Sequence, residues 1–337
     1  MRPEPPRRPS LVRALLAVCV SLVGIVAIVG SGGGSLGFPP CGDICNEPEP
    51  PPTPSAAIAP DRYTALVGTP ASFTVTTANV SGSLAYQWQR SDDGGTSYAD
   101  IAGETSATYA IPSVNLADDK AVLRVQVRVN GVPAFAPNAL LAVSAVPGIV
   151  FQDTELLAGD WSISPVPGDN GVVPMQITES LASGGNPGAF RKMTFQIPAG
   201  TGSARVFFSS LASTYDPATE GAVYVIDYAE DCTAFQPTDL ILIQSSLVLE
   251  QSGRRFLSNN FEACTGTTWR TVVNRASLAP ADFRLFDGAA CATGEACPDF
   301  SASAAPMRFG YWRIVFTTPG QSAAHGIDNW KVTVWKR

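Results

Sequence analysis

Hydrophobic and polar residues alternate along much of the chain between residues 55 and 146. The strictest run is 123–129 (LRVQVRV), where aliphatic side chains occupy every second position. Because successive side chains of a strand point to opposite faces, this run predicts a strand with one buried face. Shorter sets around Phe73, Trp88 and Tyr109 have the same pattern. Turn sequences separate the sets, and strands this short over about ninety residues predict an immunoglobulin-like β-sandwich.

A second and longer series of predicted strands follows. The segments richest in alternating or apolar residues are 206–208, 222–228, 240–249, 311–316 and 330–335. Turns rich in Gly, Ser and Pro separate them, and the length of this part exceeds that of a minimal immunoglobulin domain. These features predict a larger jelly-roll sandwich. The expected fold class is all-β, with two tandem β-sandwiches over 61–146 and 147–337.

Four segments of the first module resemble bacterial immunoglobulin-like domains. They are 86–91 (YQWQRS), 100–105 (DIAGET), 108–112 (TYAIP) and 116–119 (LADD). The resemblance implies that Trp88 is the buried tryptophan of the third strand. It also shows two departures, because no cysteines occupy the inter-sheet disulfide positions and Leu123 stands near the expected corner tyrosine. We therefore expect this core to hold by packing alone. Such modules serve as spacers and as binders, so the resemblance does not define a function.

Both ends of the second module resemble concanavalin A-like, laminin-G-like and carbohydrate-binding jelly rolls. The segment 325–334 (HGIDNWKVTV) resembles their last strand, and 151–153 (FQD) with 159–161 (GDW) resembles their opening strand. The resemblance implies that the first and last strands lie side by side and that the module binds a glycan or another surface ligand.

This juxtaposition also yields a metal hypothesis. Adjacent first and last strands would bring Asp153 or Glu155 close to Asp328 and Asn329, and hard oxygen ligands suit a structural Ca²⁺ ion. The alternative is that Asp328 and Asn329 form the turn before the last strand, because Asx side chains often bond their own backbone.

The N-terminal region has the organisation of an export segment. Basic residues precede the apolar run 14–29, and small residues follow at 30–34, which predicts a signal peptide or N-terminal membrane anchor over 1–34. The run is short for a spanning helix, so cleavage and anchoring both remain open. Either way, the rest of the chain is expected in the periplasm, at the cell surface or in the medium. A proline-rich linker is predicted over 35–60.

Cysteine usage agrees with export. Cys19 lies in the apolar run, and the other six fall into three pairs by position: Cys41 with Cys45, Cys232 with Cys264, and Cys291 with Cys297. In an oxidising compartment these are disulfide candidates. Six cysteines allow 15 pairings, so the connectivity stays open. A zinc site is the weaker alternative, since no histidine stands near either short pair.

Composition narrows the class of partner. The formal charge of −7 opposes phosphate backbones, so nucleic acid is not expected. A weakly charged surface with aromatic residues suits a glycan or a surface protein, and membrane contact is expected only through the N-terminal segment. Sugar sites need exposed aromatic faces beside polar groups. The candidates are Trp269, Tyr311 and Tyr215, with Arg275 and Asp287 as polar partners.

Catalysis is not expected. A glycosidase needs two facing carboxylates, and the nearest candidates, Asp227 and Glu230, lack an alternating acidic pattern. His325 is the sole histidine and is expected in a turn, with no Gly-x-Ser-x-Gly segment to accompany it. The sequence therefore predicts an exported or cell-envelope binding or adhesion protein. The alternatives are a purely structural or protein-adhesive envelope component and, third, a glycoside hydrolase.

Overall fold

Most of the described residues lie in strands, which are arranged in four sheets. The computed structural model describes residues 53–135, 137–167, 175–197, 203–235, 242–259, 261–264, 266–286, 288, 291, 297–316 and 320–336. Within these ranges, no helix is long and apolar enough to cross a bilayer. The predicted all-β fold is confirmed.

The first sandwich contains two sheets. Its strands are β1 (Ser55–Ala59), β2 (Arg62–Leu66), β3 (Ala71–Ala78), β4 (Leu84–Ser91), β5 (Ala99–Asp100), β6 (Thr108–Ile111), β7 (Val122–Val129), β8 (Val132–Phe135) and β9 (Ala139–Ser144). One sheet has the order β1-β3-β6, and the other has β2-β9-β7-β4-β5 with β8 beside β7. A 3-10 turn, Leu116–Asp118, precedes β7. Two sheets with this distribution of strands form an immunoglobulin-like sandwich.

Strand β1 corrects the expected start of this module. It lies within the segment assigned to a proline-rich linker, yet it pairs with β3 over its whole length. The proline run ends at Pro54, so the backbone N–H groups of β1 are free to pair. Ile58 is buried against the core, which gives the strand an apolar anchor. The sandwich therefore begins at Ser55.

Alternation in β7 places Leu123, Val125 and Val127 in the core, as predicted. Trp88 on β4 is completely buried, and its indole Nε1 donates to the carbonyl of Ser106 at 2.9 Å. Phe73 packs in the same cluster. No disulfide lies among the described residues of this module, so apolar packing and the satisfied indole hold the two sheets together.

The second sandwich is larger. Its strands are β10 (Ile149–Asp153), β11 (Trp161–Val166), β12 (Met175–Gly185), β13 (Gly188–Gln196), β14 (Ser203–Tyr215), β15 (Val223–Ala234), β16 (Leu242–Gln251), β17 (Arg254–Ser258), β18 (Glu262–Ala263), β19 (Arg270–Leu278), β20 (Phe283–Leu285), β21 (Met307–Phe316) and β22 (Ser322–Lys336). Its short helical turns are Ala158–Asp160, Pro280–Asp282 and the single α-helical turn α1 (Pro217–Glu220).

One sheet of this sandwich has the order β12-β13-β22-β15-β19, and β10 pairs with the C-terminal half of β22. The other has the order β11-β14-β21-β16-β17-β20, with β18 beside β16. The first and last strands of the module therefore lie side by side, as expected. We call the two sheets the β22 sheet and the β21 sheet.

Aromatic side chains fill the space between these sheets. Trp161 lies 5.0 Å from Tyr311 and 5.0 Å from Trp330 between ring centroids, and Phe208 stacks on Tyr311 at 4.6 Å. Offset and edge-to-face contacts of this kind add to the burial of apolar area. Trp88, Trp161, Trp312 and Trp330 are all buried, in agreement with the expectation that they are core residues.

A charged network also crosses this core. The guanidinium of Arg313 on β21 contacts Glu230 on β15 at 3.0 Å, and both side chains are completely buried. Tyr228 donates to the same carboxylate at 2.6 Å. Arg313 donates to Nε2 of His325 at 3.2 Å and also to the hydroxyl of Ser245. Buried charges persist only when they are paired and hydrogen-bonded, and these bonds link the two sheets.

His325 corrects the sequence expectation for its segment. It lies inside β22, which begins at Ser322, and not in a turn before the strand. Its ring is buried and stacks on Phe195 at 5.4 Å. Burial, followed by the nearby Arg313 charge, lowers the pKa of His325 well below its usual value. The imidazole is therefore neutral at neutral pH.

Two predicted disulfides are confirmed. Cys232 on β15 is bonded to Cys264, which follows β18, so this bond ties the β22 sheet to the β21 sheet. Cys291 is bonded to Cys297. Cys41 and Cys45 lie outside the described residues.

The two sandwiches share a hydrogen-bonded junction. Arg62 on β2 binds the carboxylate of Asp282 through two bonds of 2.7 and 2.9 Å. Thr64 donates to Asp227 at 2.7 Å, and Asp227 also accepts from the indole of Trp335 at 2.8 Å. Bidentate and buried bonds of this type fix orientation. The described parts of the two sandwiches belong to one compact unit.

Candidate functional site

The outer face of the β22 sheet carries an aromatic patch that we define as Trp269, Phe190 and Phe235. Ring centroids of Phe190 lie 5.2 Å from Trp269 and 5.9 Å from Phe235. Phe190 is buried, Trp269 is partly exposed, and Phe235 is 43% exposed. The ammonium of Lys192 lies 5.6 Å from the Phe235 ring, within reach of a cation–π contact.

Contacts with two distant strands fix the position of the Trp269 ring. Its indole Nε1 donates to the carbonyl of Gly184 at 2.7 Å. The ring covers Gly326 in the middle of β22, where a Cβ would come within 2.7 Å of the indole. A glycine in a central strand leaves room for a close neighbour. Gly184, Gly326 and the edge-to-face ring of Phe190 therefore hold the indole in place.

A polar cluster adjoins this patch, and we define it as Asp231, Asp328, Asn329, Asn186 and Thr271. Asp231 accepts from Thr271 at 2.7 Å, from the amide of Asn329 at 2.7 Å and from the amide of Asn186 at 3.1 Å. Asp328 accepts the backbone N–H of Asn329 at 2.7 Å and that of Asn186. Each carboxylate is thus oriented by neutral donors.

The β12–β13 hairpin joins the polar cluster to the aromatic patch. Gly184 accepts from the indole, while Asn186 two residues later bonds both acidic residues. Gly185 lies between them, and a Cβ there would come within 2.5 Å of both the carbonyl of Ala189 and the Asp328 carboxylate. The Gly-Gly sequence is therefore required by close approach as well as by the turn.

A bulge in β22 explains why Asp328 and Asn329 lie at this site together. Before it, the inward residues include His325 and Ile327; after it, Trp330 and Val332 point inward. Inward positions therefore change from odd to even at Asn329, whose φ is +49°. The pairing of β22 with β15 shifts at the same point, between Ala229 and Asp231. Bulges re-aim side chains in this way and are frequent beside functional sites.

The protonation of Asp328 depends on its burial and on its charged neighbours. Burial raises the pKa of Asp328, the negative charges of Asp231 and Glu155 raise it further, and its two backbone hydrogen bonds oppose this shift. A small cavity of about 330 Å³ lies next to the cluster and is lined by Asp231, Thr271 and Asn329 among others. The arrangement places hydrogen-bonded carboxylate, amide and hydroxyl groups beside an aromatic ring that is held in place.

Of the residues predicted to contact a ligand, the structure places one, Trp269, at this site. Tyr215 and Tyr311 are completely buried, so the prediction that they expose a face is wrong. Arg275 is paired with Glu262 and lies 3.9 Å from Asp61 of the first sandwich. Asp287 lies outside the described residues.

The predicted calcium ligands are engaged with protein donors. Asp153 accepts the backbone N–H groups of Glu155 and Leu156 at 3.0 and 2.7 Å, and the indole of Trp161 at 2.7 Å. Asp328 is bonded within the polar cluster. Across the described ranges, no group of three or more His, Cys, Asp or Glu side chains is arranged to hold a metal ion. Asp153, Glu155 and Asp328 do not form such a group, although the charge of Glu155 acts on Asp328.

The alternative reading of Asp328 and Asn329 as a turn is also corrected, because both residues lie within β22. The acidic pair weighed for catalysis is separated as well. Asp227 is held in the junction between the sandwiches, whereas Glu230 points into the core and pairs with Arg313. These two carboxylates do not face a common groove.

Comparisons with known proteins match about a quarter of this chain. A family model described as a domain of unknown function (DUF8696) matches residues 56–141. No curated protein matches the chain. The similar solved structures include the N-terminal four immunoglobulin domains of Dscam1 isoform 4.44, at 29% identity over 27% of this chain and 20% of that chain, with a TM-score of 0.21. Isoform 6.9 gives the same values.

A third structure, described as the structural basis for Dscam isoform specificity, is 28% identical over 27% of this chain and 21% of that chain, with a TM-score of 0.22. The chain thus spans about a fifth of the length of the solved structures it matches. With TM-scores this low, the immunoglobulin-like assignment rests on the strand order described above.

Proposed function

We propose that this chain is an exported binding protein whose second sandwich binds a glycan at the aromatic patch and polar cluster. The observation that carries the proposal is the pre-oriented indole of Trp269, which is partly exposed and continuous with oriented oxygen and amide groups. Sugar rings present apolar C–H faces that pack on aromatic rings, while their hydroxyl groups bond to carboxylates and amides. In this proposal, Trp269 provides the aromatic face, and the exposed residues Asn186 and Thr271 provide polar contacts.

The junction between the sandwiches supports a presenting role for the first one. Its contacts through Arg62 and Thr64 keep the second sandwich in a fixed orientation. An N-terminal signal or anchor with a proline-rich linker would then place the binding site away from the membrane. The disulfides Cys232–Cys264 and Cys291–Cys297 support an oxidising destination.

A glycan array probed with the disulfide-bonded chain tests the binding proposal. We expect reproducible hits, and we expect Trp269→Ala to weaken binding to them at least tenfold. Phe235→Ala should weaken it about two- to tenfold, because aromatic contacts contribute about 0.5–1.5 kcal/mol. Phe316→Ala is the matched control, since Phe316 is 38% exposed on a different part of the sandwich. It should bind like the wild type.

Absence of hits, or equal losses for Phe235→Ala and Phe316→Ala, would contradict the glycan proposal and favour a structural or protein-adhesive component. Export is tested separately by fractionation of producing cells and mass spectrometry of the N-terminus. Recovery outside the cytoplasm supports the proposal, and the mass distinguishes a cleaved signal from a retained anchor. Recovery in the cytoplasm with reduced cysteines would contradict it.

A further inference from the structure

A second cavity lies on the other sheet of the large sandwich, away from the aromatic patch. Its volume is about 660 Å³, and it is formed by the ends of β14, β16, β17 and β21. The lining residues that carry charge are Arg254, Arg255, Arg308 and Glu250. Three cations and one acid line this cavity in a chain that has 29 acidic and 22 basic residues. The net charge of the cavity lining is therefore positive, whereas the net charge of the whole chain is negative.

The four charged groups are not equivalent. Glu250 is paired with Arg255 at 2.8 Å and also accepts from Ser209 at 2.9 Å. The Arg255 guanidinium lies 4.5 Å from the Phe207 ring centroid, which fixes its plane. Arg254 also interacts with another group of the protein, so the inference does not depend on it. The carboxylate that lines the cavity is thus already occupied by Arg255 and a hydroxyl.

Arg308 differs from the other two arginines. It lies opposite Glu250 on β16 and opposite Thr214 on β14, and it lines the cavity. Its Nε is buried and has no hydrogen-bond partner within the described residues. An unsatisfied N–H of a charged group costs free energy, and a guanidinium can bind two oxygens of a carboxylate or a sulfate. Thr214 also lines the cavity and adds a hydroxyl group.

We infer that this cavity binds an oxyanionic group, such as the carboxylate or sulfate of an acidic ligand, on the guanidinium of Arg308. Leu285 and Phe286 provide an apolar wall for the body of the ligand. The inference is independent of the proposed glycan site, because the two sites lie on different sheets and share no residue.

Calorimetric titration of the full disulfide-bonded chain tests this inference, with glucuronate, inorganic sulfate and glucose as probes at low ionic strength. We expect saturable binding of glucuronate or sulfate and none of glucose, and the stronger anion identifies the preferred group. Arg308→Gln should weaken binding at least tenfold. Arg308→Lys should give an intermediate loss, because it keeps the charge and removes the two-donor fork. The Arg308→Lys variant still tests the inference if Arg308→Gln does not fold.

Arg128→Gln is the control, since Arg128 is exposed on the first sandwich and its removal changes the net charge equally. It should alter anion affinity less than twofold. The inference is overturned if neither anion binds saturably, if glucose binds equally well, or if Arg128→Gln and Arg308→Gln weaken binding to the same extent.

Discussion

Removal of the Glu230 carboxylate should destabilise the second sandwich strongly, because it would leave Arg313 charged in a dry core. The two side chains are completely buried and in contact at 3.0 Å. In Glu230→Leu, Arg313 and Tyr228 lose their common acceptor. His325 is neutral and cannot replace the lost negative charge.

The expected loss follows from the behaviour of buried ion pairs. Removing one partner costs about 3–5 kcal/mol, whereas replacing both by apolar residues of similar volume is close to neutral. For a module of this size, 1 kcal/mol corresponds to about 2–4 °C in Tm, so Glu230→Leu should melt about 6–20 °C below the wild type. Arg313→Met should show a loss of the same order. The double variant should recover most of the loss, although Tyr228 then lacks its acceptor and His325 Nε2 and Ser245 lack the Arg313 donor.

Thermal and urea unfolding of the disulfide-bonded chain measures these effects. Asp92→Asn is a control, because Asp92 is 70% exposed in its pair with Arg90 and should shift Tm by no more than about 2 °C. Two results would refute the reasoning. One is a pair of single variants within about 1 kcal/mol of the wild type, and the other is a double variant whose loss equals the sum of the single losses.

Three further outcomes are expected. The pKa of His325 is lowered in the native state, so below about pH 6.5 the unfolded chain binds a proton that the native chain does not. The free energy of unfolding should therefore fall by up to about 1.4 kcal/mol for each pH unit below this value. Melts at pH 7.5 and 5.5 measure this dependence, and it should be absent in His325→Gln. Cys232→Ser with Cys264→Ser should cost about 4 kcal/mol in urea unfolding, as loop closure over a separation of 32 residues predicts, and an unchanged midpoint would contradict a cross-link between the sheets. Gly326→Ala should displace the Trp269 indole and change its fluorescence emission with little loss of secondary structure, whereas an unchanged spectrum would contradict the close packing described above.

The strands and most of the core could be predicted because both depend on a period of two. In β7, every second residue points to the same face, so the sequence alone identified the side that is buried. The separation of Asp227 and Glu230 follows from the same rule. Residues three apart on a strand point to opposite faces, and the structure directs one to the junction and the other to the core.

Alternation was insufficient where both faces of a sheet are covered. Tyr311 and Trp312 point to opposite sides of β21, which suggested that one of them is exposed. Tyr311 lies between the sheets, while Trp312 packs in a second apolar cluster on the outside with Phe207 and Val248. When two consecutive residues of a strand are both apolar, the sequence does not show whether one of them is exposed or both faces are covered. The aromatic ligand candidates on such strands were therefore misplaced.

The candidate site depends on irregularities in the sheet, which explains why most of its members were missed. Asn186 and Gly184 come from a hairpin, and Phe235 follows the end of β15. One signal was present in the sequence: the inward residues of β22 change from odd numbers at Ile327 to even numbers at Trp330. Strands have a strict period of two, so a change of parity within a continuous strand requires one extra residue, and Asn329 tolerates the positive φ that this needs. This change of parity predicts a bulge within the strand instead of a turn before it. Asp328 and Asn329 then belong to the same face, where the polar cluster forms beside Trp269.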